Sequence, residues 1–93
     1  MKPTILYDEA EAELAGAMEV YEKQRTGLGG EFRREFESYL ERVRSNPLGY
    51  ASEDDSGVRY CPLRRFPYTI VYVVLADSIW VAAVEHQRRQ PGY

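Results

Sequence analysis

The sequence predicts an α+β domain of order β-α-α-β-β-β, with a helical hairpin packed on one face of a small, mostly antiparallel four-stranded sheet. Three observations predict it. Residues 8–45 repeat their apolar positions at three- and four-residue steps, residues 58–84 are rich in β-branched and aromatic side chains, and a polar, turn-rich stretch, LGYASEDDSG, separates the two. The 93 residues suffice for one domain, spanning 1–93, with one modest core. An apolar fraction of 44% with 13% aromatics exceeds what a disordered chain carries, so this one is expected to fold.

Each element has a local cause. Residues 4–7 (TILY), held between Pro3 and Asp8, read as a short strand. Asp8 then suits the cap of a first helix, with Glu11 in capping-box register. Ala10, Leu14, Ala17, Met18 and Tyr21 form a single apolar stripe along it, and Lys23 and Arg25 favour its C-terminal turn. Gly27, Gly29 and Gly30 are expected to make the turn into a second helix from Glu31, with Phe32, Phe36, Tyr39, Leu40 and Val43 on one face. Asn46-Pro47 stops it, because the residue before proline disfavours the helical region. The GLGG stretch lacks both the lysine and the preceding strand of a phosphate loop, so a tight helix–helix link is the better reading.

Residues 48–57 are expected to form a loop. Three strands follow, at 58–63, from 66 or 68 to 75, and at 78–84, with a tight hairpin at Ala76-Asp77-Ser78. YTIVYVVL is apolar at both parities, which predicts a central strand buried on both faces or nearly so. Pro62 and Pro67 cannot donate to a ladder and are confined to strand ends, bulges or edges.

Composition narrows the function classes. The single cysteine, Cys61, rules out an internal disulfide and suits a small buried hydrophobe in a reducing, intracellular setting. No run approaches the ~18 apolar residues of a membrane span, and the N-terminus lacks the apolar core of a secretory signal, so a cytoplasmic protein without membrane contact is expected. The net charge of −3 is polarised: residues 1–55 hold 13 acids and 7 bases, residues 56–93 hold 2 acids and 5 bases. Such asymmetry fits an acidic helical layer and a basic strand half able to meet an anionic partner.

The chemistry-bearing residues gather in that second half: Arg59, Arg64, Arg65, His86, Arg88 and Arg89, with Glu85 and Tyr93 near them in sequence. If the last two strands pair about Asp77, Tyr68 falls opposite His86, and Arg64 and Arg65 approach the His-Gln-Arg-Arg tail. Guanidinium forks recognise phosphates and carboxylates, and a histidine titrates near neutrality. Together they could serve RNA cleavage, with His86, Arg59 and Arg65 as the catalytic candidates of a metal-independent endoribonuclease, or form a recognition surface without catalysis. The plainer alternative is a histidine bonded locally at a strand end beside solvated or glutamate-paired arginines. One histidine, one cysteine and the EDDSG loop do not supply ligand spacing for zinc or calcium, so no metal and no cofactor are expected.

The GLGGEF turn, the NP stop, VRYCPLRRFPYTIVY and the closing VAAVEHQRRQPGY resemble, over essentially the whole chain, the ParE branch of the RelE/ParE toxins of bacterial toxin–antitoxin modules. The resemblance implies the RelE/ParE-like fold. It also implies a small toxin of a type II, plasmid-stabilisation kind that arrests growth until a cognate antitoxin wraps it. ParE-like members poison DNA gyrase, whereas RelE-like members cleave mRNA on the ribosome with lysines or a glutamate near the second strand and a tyrosine close to the C-terminus. Here the only lysines are Lys2 and Lys23, Gln87 follows His86, and an acid would have to come from Glu53, Asp54, Asp55 or Glu85. The resemblance therefore implies a gyrase inhibitor whose target and antitoxin contacts are Arg59, Arg64, Arg65, His86, Arg88, Arg89 and Tyr93. A ribosome-dependent nuclease and a non-toxic, antitoxin-binding relic are the alternatives.

Overall fold

A computed structural model describes residues 2–52 and 55–89, without the side chain of Arg89. Strand β1 (Thr4–Leu6) leads into helix α1 (Asp8–Gln24), which turns back as α2 (Leu28–Ser45). Three strands follow, β2 (Val58–Pro62), β3 (Tyr68–Val74) and β4 (Ile79–His86), and the short 3-10 helix Gln87–Arg89 ends the described chain. The sheet order is β1-β4-β3-β2, with β1 parallel to β4 and the other pairings antiparallel. Both helices lie on one face, and the element order and mixed sheet are those predicted.

The core forms where the helical stripe meets the inward parity of the strands. Phe32, Phe36, Val43 and Ala10 are buried against Cys61, Ile70, Tyr72, Ile79, Val81 and Val84. Tyr21, Phe32 and Phe66 pack with ring centroids 4.9 to 5.2 Å apart. Burial on this scale, at about 25 cal/mol per Å² of apolar surface, is what a small domain relies on. The hydroxyl of fully buried Tyr72 donates to the Pro47 carbonyl (2.7 Å), tying the end of α2 to the sheet. Burial pushes that phenol up to about 12.

Local details depart from expectation for physical reasons. Asp8 does not cap α1: the cap position is Tyr7, without a side-chain cap bond, and Glu11 N–H bonds the Tyr7 carbonyl. Asp8, Glu9 and Glu11 instead place negative charge in the first turn, where the helix dipole favours it. Helix α2 begins at Leu28, so Gly29 and Gly30 are helical rather than turn residues. Gly27 alone takes the left-handed turn (φ 91°). Gly29 is needed for close packing, since a Cβ there would lie 2.6 Å from the Met18 carbonyl oxygen. The first amides of α2 are satisfied from α1: Glu22 accepts from Gly27 N–H (2.9 Å) and Gly29 N–H (3.1 Å).

In β3, Thr69–Tyr72 are buried at both parities, while Tyr68, Val73 and Val74 are half-buried. Strand β4 runs two residues beyond the predicted end, and Ala82 is the extra residue of a bulge: Tyr72 faces Val81, but Val71 faces Ala83. The bulge keeps Ile79, Val81, Val84 and His86 on the helix-facing side. The opposite face presents Val58, Tyr60, Val71, Val73, Trp80 and Ile5, with Tyr7 against Trp80 at 5.0 Å.

Candidate functional site

The β2–β3 connection and the end of β4 meet at one end of the sheet. Leu63 N–H donates to the Tyr68 carbonyl and Tyr68 N–H to the Phe66 carbonyl, both at 2.8 Å, closing a tight loop. Leu63 and Phe66 turn into the core, which leaves Arg64, Arg65 and Pro67 outside. The placing of Arg64 and Arg65 between two core residues, Leu63 and Phe66, thus fixes which side chains the loop projects. Tyr68 faces His86 in the ladder, Gln87 N–H donates to the Pro67 carbonyl (2.8 Å), and the Gln87 side chain donates to the Tyr68 carbonyl (3.3 Å). Arg64, Arg65, His86 and Arg88 therefore share this end, as the hairpin about Asp77 predicted.

Their chemistry differs residue by residue. The His86 ring stands edge-on to Tyr68 (5.1 Å, 75°), and its Nδ1 accepts the Arg88 N–H (3.1 Å). That bond selects the tautomer with the proton on Nε2, because a proton on Nδ1 would oppose the donor. Arg65 is committed to the chain itself: its guanidinium pairs with Glu31 and lies 5.0 Å over the Phe66 ring, while its N–H donates to Glu35 (2.8 Å). Glu31 also holds Arg25 at 3.1 Å. With the Arg65 guanidinium first and that of Arg25 second, the Glu31 carboxyl is drawn down to about 2. Arg64 is exposed and pairs with no carboxylate among the described residues. Arg88 is exposed as well.

Arg59 does not join this group. It faces Tyr72, four residues along β3 from Tyr68 and so roughly 13 Å away at ~3.3 Å per residue. Its guanidinium donates to the carbonyls of Tyr50 (2.6 Å) and Leu48 (3.4 Å), and the Ser52–Arg59 bridge and the Tyr60 N–H bond to Ala51 (3.2 Å) hold the same loop. The six predicted basic candidates are thus divided: Arg64, Arg65, His86 and Arg88 at one end, Arg59 at the other. Arg89 closes the 3-10 helix, and Tyr93 lies outside the described residues.

Of the acids considered from sequence, Glu53 and Asp54 lie outside the described residues. Glu85 faces Thr69, on the sheet face away from the helices. Cys61 is fully buried, and burial pushes its thiol up. Among the described residues no three His, Cys, Asp or Glu side chains group as metal ligands, and no helix is long and apolar enough to cross a membrane.

Glu31, Glu35 and Glu13 were not among the residues singled out from sequence. Glu31 binds Arg65 across 34 positions, and no local pattern announces a pair so far apart. Glu13 accepts the Val84 N–H across 71.

With this geometry, the chain can be set beside known proteins. It matches the family described as the ParE toxin of type II toxin-antitoxin system, parDE, over residues 5–91. Ten solved chains are similar to it. One, from the chromosomal ParDE TA system of P. aeruginosa, is 18% identical, has a TM-score of 0.70, and is matched over 92% of this chain and 96% of its own, which shows a shared fold. A search of curated proteins gives no match.

Proposed function

The chain belongs to the ParE toxin family of type II toxin–antitoxin systems, and from that premise we propose that it acts in the cytoplasm as an inhibitor of DNA gyrase, held inactive by a cognate antitoxin. Recognition by surface contact, without catalysis, is the proposed mode of action. The observation that carries it is the commitment of Arg59 and Arg65. A nuclease that stabilises a phosphorane needs guanidinium groups pointed at the phosphate. Here one is turned onto loop carbonyls and another onto Glu31, leaving Arg64, which is exposed and pairs with no carboxylate among the described residues, to meet an anionic surface. The face away from the helices is rich in Val, Tyr and Trp side chains, which suits burial against protein.

The test is purified chain added to gyrase and supercoiled DNA, and separately to translating ribosomes. Accumulation of cleaved DNA with intact message supports the reading. Site-specific cleavage of ribosome-bound mRNA, lost in His86→Ala or Arg65→Ala with the fold retained, would replace it with the nuclease. Normal growth on strong expression of folded protein would leave only antitoxin binding.

A further inference from the structure

Helix α2 carries the glutamates 31, 35, 37 and 41 and the arginines 33, 34, 42 and 44, and they do not simply cancel. Its carboxylates are taken one by one. Glu31 holds Arg25 and Arg65, Glu35 accepts the Arg65 N–H, Glu37 pairs with Arg33 (3.4 Å), and Glu41 pairs with Arg44 (2.9 Å). Arg34 and Arg42 are left over: both are exposed, and neither pairs with a carboxylate among the described residues. With Ser38 between them they recur at four-residue steps, which places them on one face of the helix, about 12 Å apart at ~1.5 Å per residue.

Arg42 is held in position. Its guanidinium lies 4.7 Å over the Tyr39 ring and beside the Tyr50 hydroxyl, so it has less rotamer freedom to lose on meeting an anion. It borders an open cleft of about 670 Å³ with Ser38, Glu41, Ser45, Asn46 and Tyr50 as the other walls. This cleft lies at the C-terminal end of α2, where free carbonyls would repel an anion. Here the chain answers them itself. Ser45 Oγ donates to the Glu41 carbonyl (3.0 Å), Asn46 N–H to that of Arg42 (3.1 Å), the Tyr72 hydroxyl to that of Pro47, and Arg59 to those of Leu48 and Tyr50. No aliphatic side chain is among the lining residues, whereas the groove between the two helices is walled by Leu14, Met18, Phe36 and Leu40. Arginine, serine, asparagine and tyrosine are the side chains with which proteins hold the phosphate oxygens of DNA.

We propose that this face of α2 binds the phosphodiester backbone of duplex DNA, with Arg42 and Ser38 on one phosphate at the cleft and Arg34 on another farther along. The phosphate contact rests on the geometry, and the choice of DNA over RNA rests on the gyrase reading, because that enzyme holds duplex DNA. It goes beyond that reading by giving the chain its own hold on the nucleic acid. Tyr39 is covered by Arg42 and Tyr50 is half-buried, so neither ring is free to stack on a base, and the contact is independent of sequence. Glu41 opposes it from the cleft wall, and the net charge of −3 keeps it weak and confined to low salt.

The experiment titrates the full chain into a short fluorescein-labelled DNA duplex and reads anisotropy at several salt concentrations. The expected dissociation constant is about 10–100 μM at about 50 mM salt, with the association constant falling at a log–log slope of about −2, that of two neutralised phosphates. Arg34→Gln and Arg42→Gln are each expected to reduce the slope by about 0.9, with thermal melting as the check on folding; Arg34→Gln breaks no ion pair and should melt as wild type does. Glu41→Gln is expected to tighten binding about twofold, which a merely structural role would not produce. No anisotropy change at millimolar chain, a slope near zero, parental slopes in both arginine variants, or weaker binding by Glu41→Gln would each overturn the proposal. Tighter binding of an RNA duplex, or of a polyglutamate peptide, would overturn it as well, in favour of RNA or of a protein partner. Binding of DNA through Arg34 and Arg42 by a chain that leaves gyrase unaffected would remove the functional reading and keep the site. Gyrase poisoning by a chain that does not bind DNA would remove the site alone.

Discussion

The two ends of the sheet use the same residue types in opposite ways. At the Tyr72 end, a tyrosine hydroxyl and an arginine are turned onto the chain's own carbonyls at Pro47, Leu48 and Tyr50. At the Tyr68 end, Arg64 is exposed without a carboxylate partner among the described residues, and Arg65 binds a glutamate of α2. The difference teaches that an arginine's role follows from the unpaired acceptors within its reach. The loop after α2 leaves carbonyls without ladder partners, and a buried or half-buried carbonyl recruits a donor. The tight 63–68 loop satisfies its own carbonyls at Phe66, Pro67 and Tyr68 through backbone and Gln87 donors, which releases Arg64.

The largest effect should come from Arg59→Ala. It removes a charged donor from two carbonyls, and the expected loss is about 2 kcal/mol, read as a lower urea midpoint with unchanged slope. Arg59→Lys should recover only part of it, since an ammonium lacks the planar fork. A stable Arg59→Ala protein that had lost only partner binding would move this residue to the recognition surface and break the comparison. Next in size is Tyr72→Phe. It keeps the packing but leaves the Pro47 carbonyl without its hydroxyl donor, for about 1 kcal/mol in the same measurement.

Glu31→Gln tests the intermediate case, an arginine at the outward end that is nevertheless held internally. The Glu31 carboxyl falls from 4.5 to about 2 on folding. Its contribution is therefore fully present above pH 4.5 and is lost as the pH drops through about 2. The variant should melt lower than wild type at neutral pH, lose less on acidification through that window, and show a gap that narrows with salt, because the pair is solvent-exposed. Parallel acid profiles for the two proteins would show that the Arg65–Glu31 pair contributes nothing to folding.

The sequence made the element order and the hairpin register legible, because both rest on short-range signals. The 3.6-residue stripes at Ala10–Tyr21 and Phe32–Val43 and the turn at Asp77 sufficed to set Tyr68 opposite His86. The one-residue bulge at Ala82 gave no warning, yet it decides that Val84 and His86 face the helices. Capping at Asp8 failed as an expectation because Tyr7 N–H is spent on Val81 and the chain enters the helix straight from the strand. Gly29 looked like a turn residue because glycine supplies both conformational freedom and small size, and only the nearby Met18 carbonyl distinguishes the two. The division of the arginines was hidden for a related reason. Whether Arg59 or Arg64 finds an acceptor depends on the path of residues 48–52 and on α2, whereas in the sequence each is simply an arginine beside a strand.

Arg64→Ala should have the smallest effect on folding and is the sharpest test of the contrast. Its side chain is exposed and pairs with no carboxylate among the described residues, so stability should stay within about 0.5 kcal/mol of wild type. Binding to an acidic partner should weaken all the same, chiefly through a slower association rate whose salt dependence is shallower than that of the parent. Arg65→Ala, one position on, should instead lower the melting temperature by releasing Glu31 and uncovering Phe66, whether or not a partner is present. Adjacent arginines that separate in this way, one felt in association and the other in folding, would show that the chain's own glutamates select which guanidinium groups remain for a partner. If both variants behaved alike, the 63–68 loop would be acting as one unit, and the distinction drawn from Glu31 would fall.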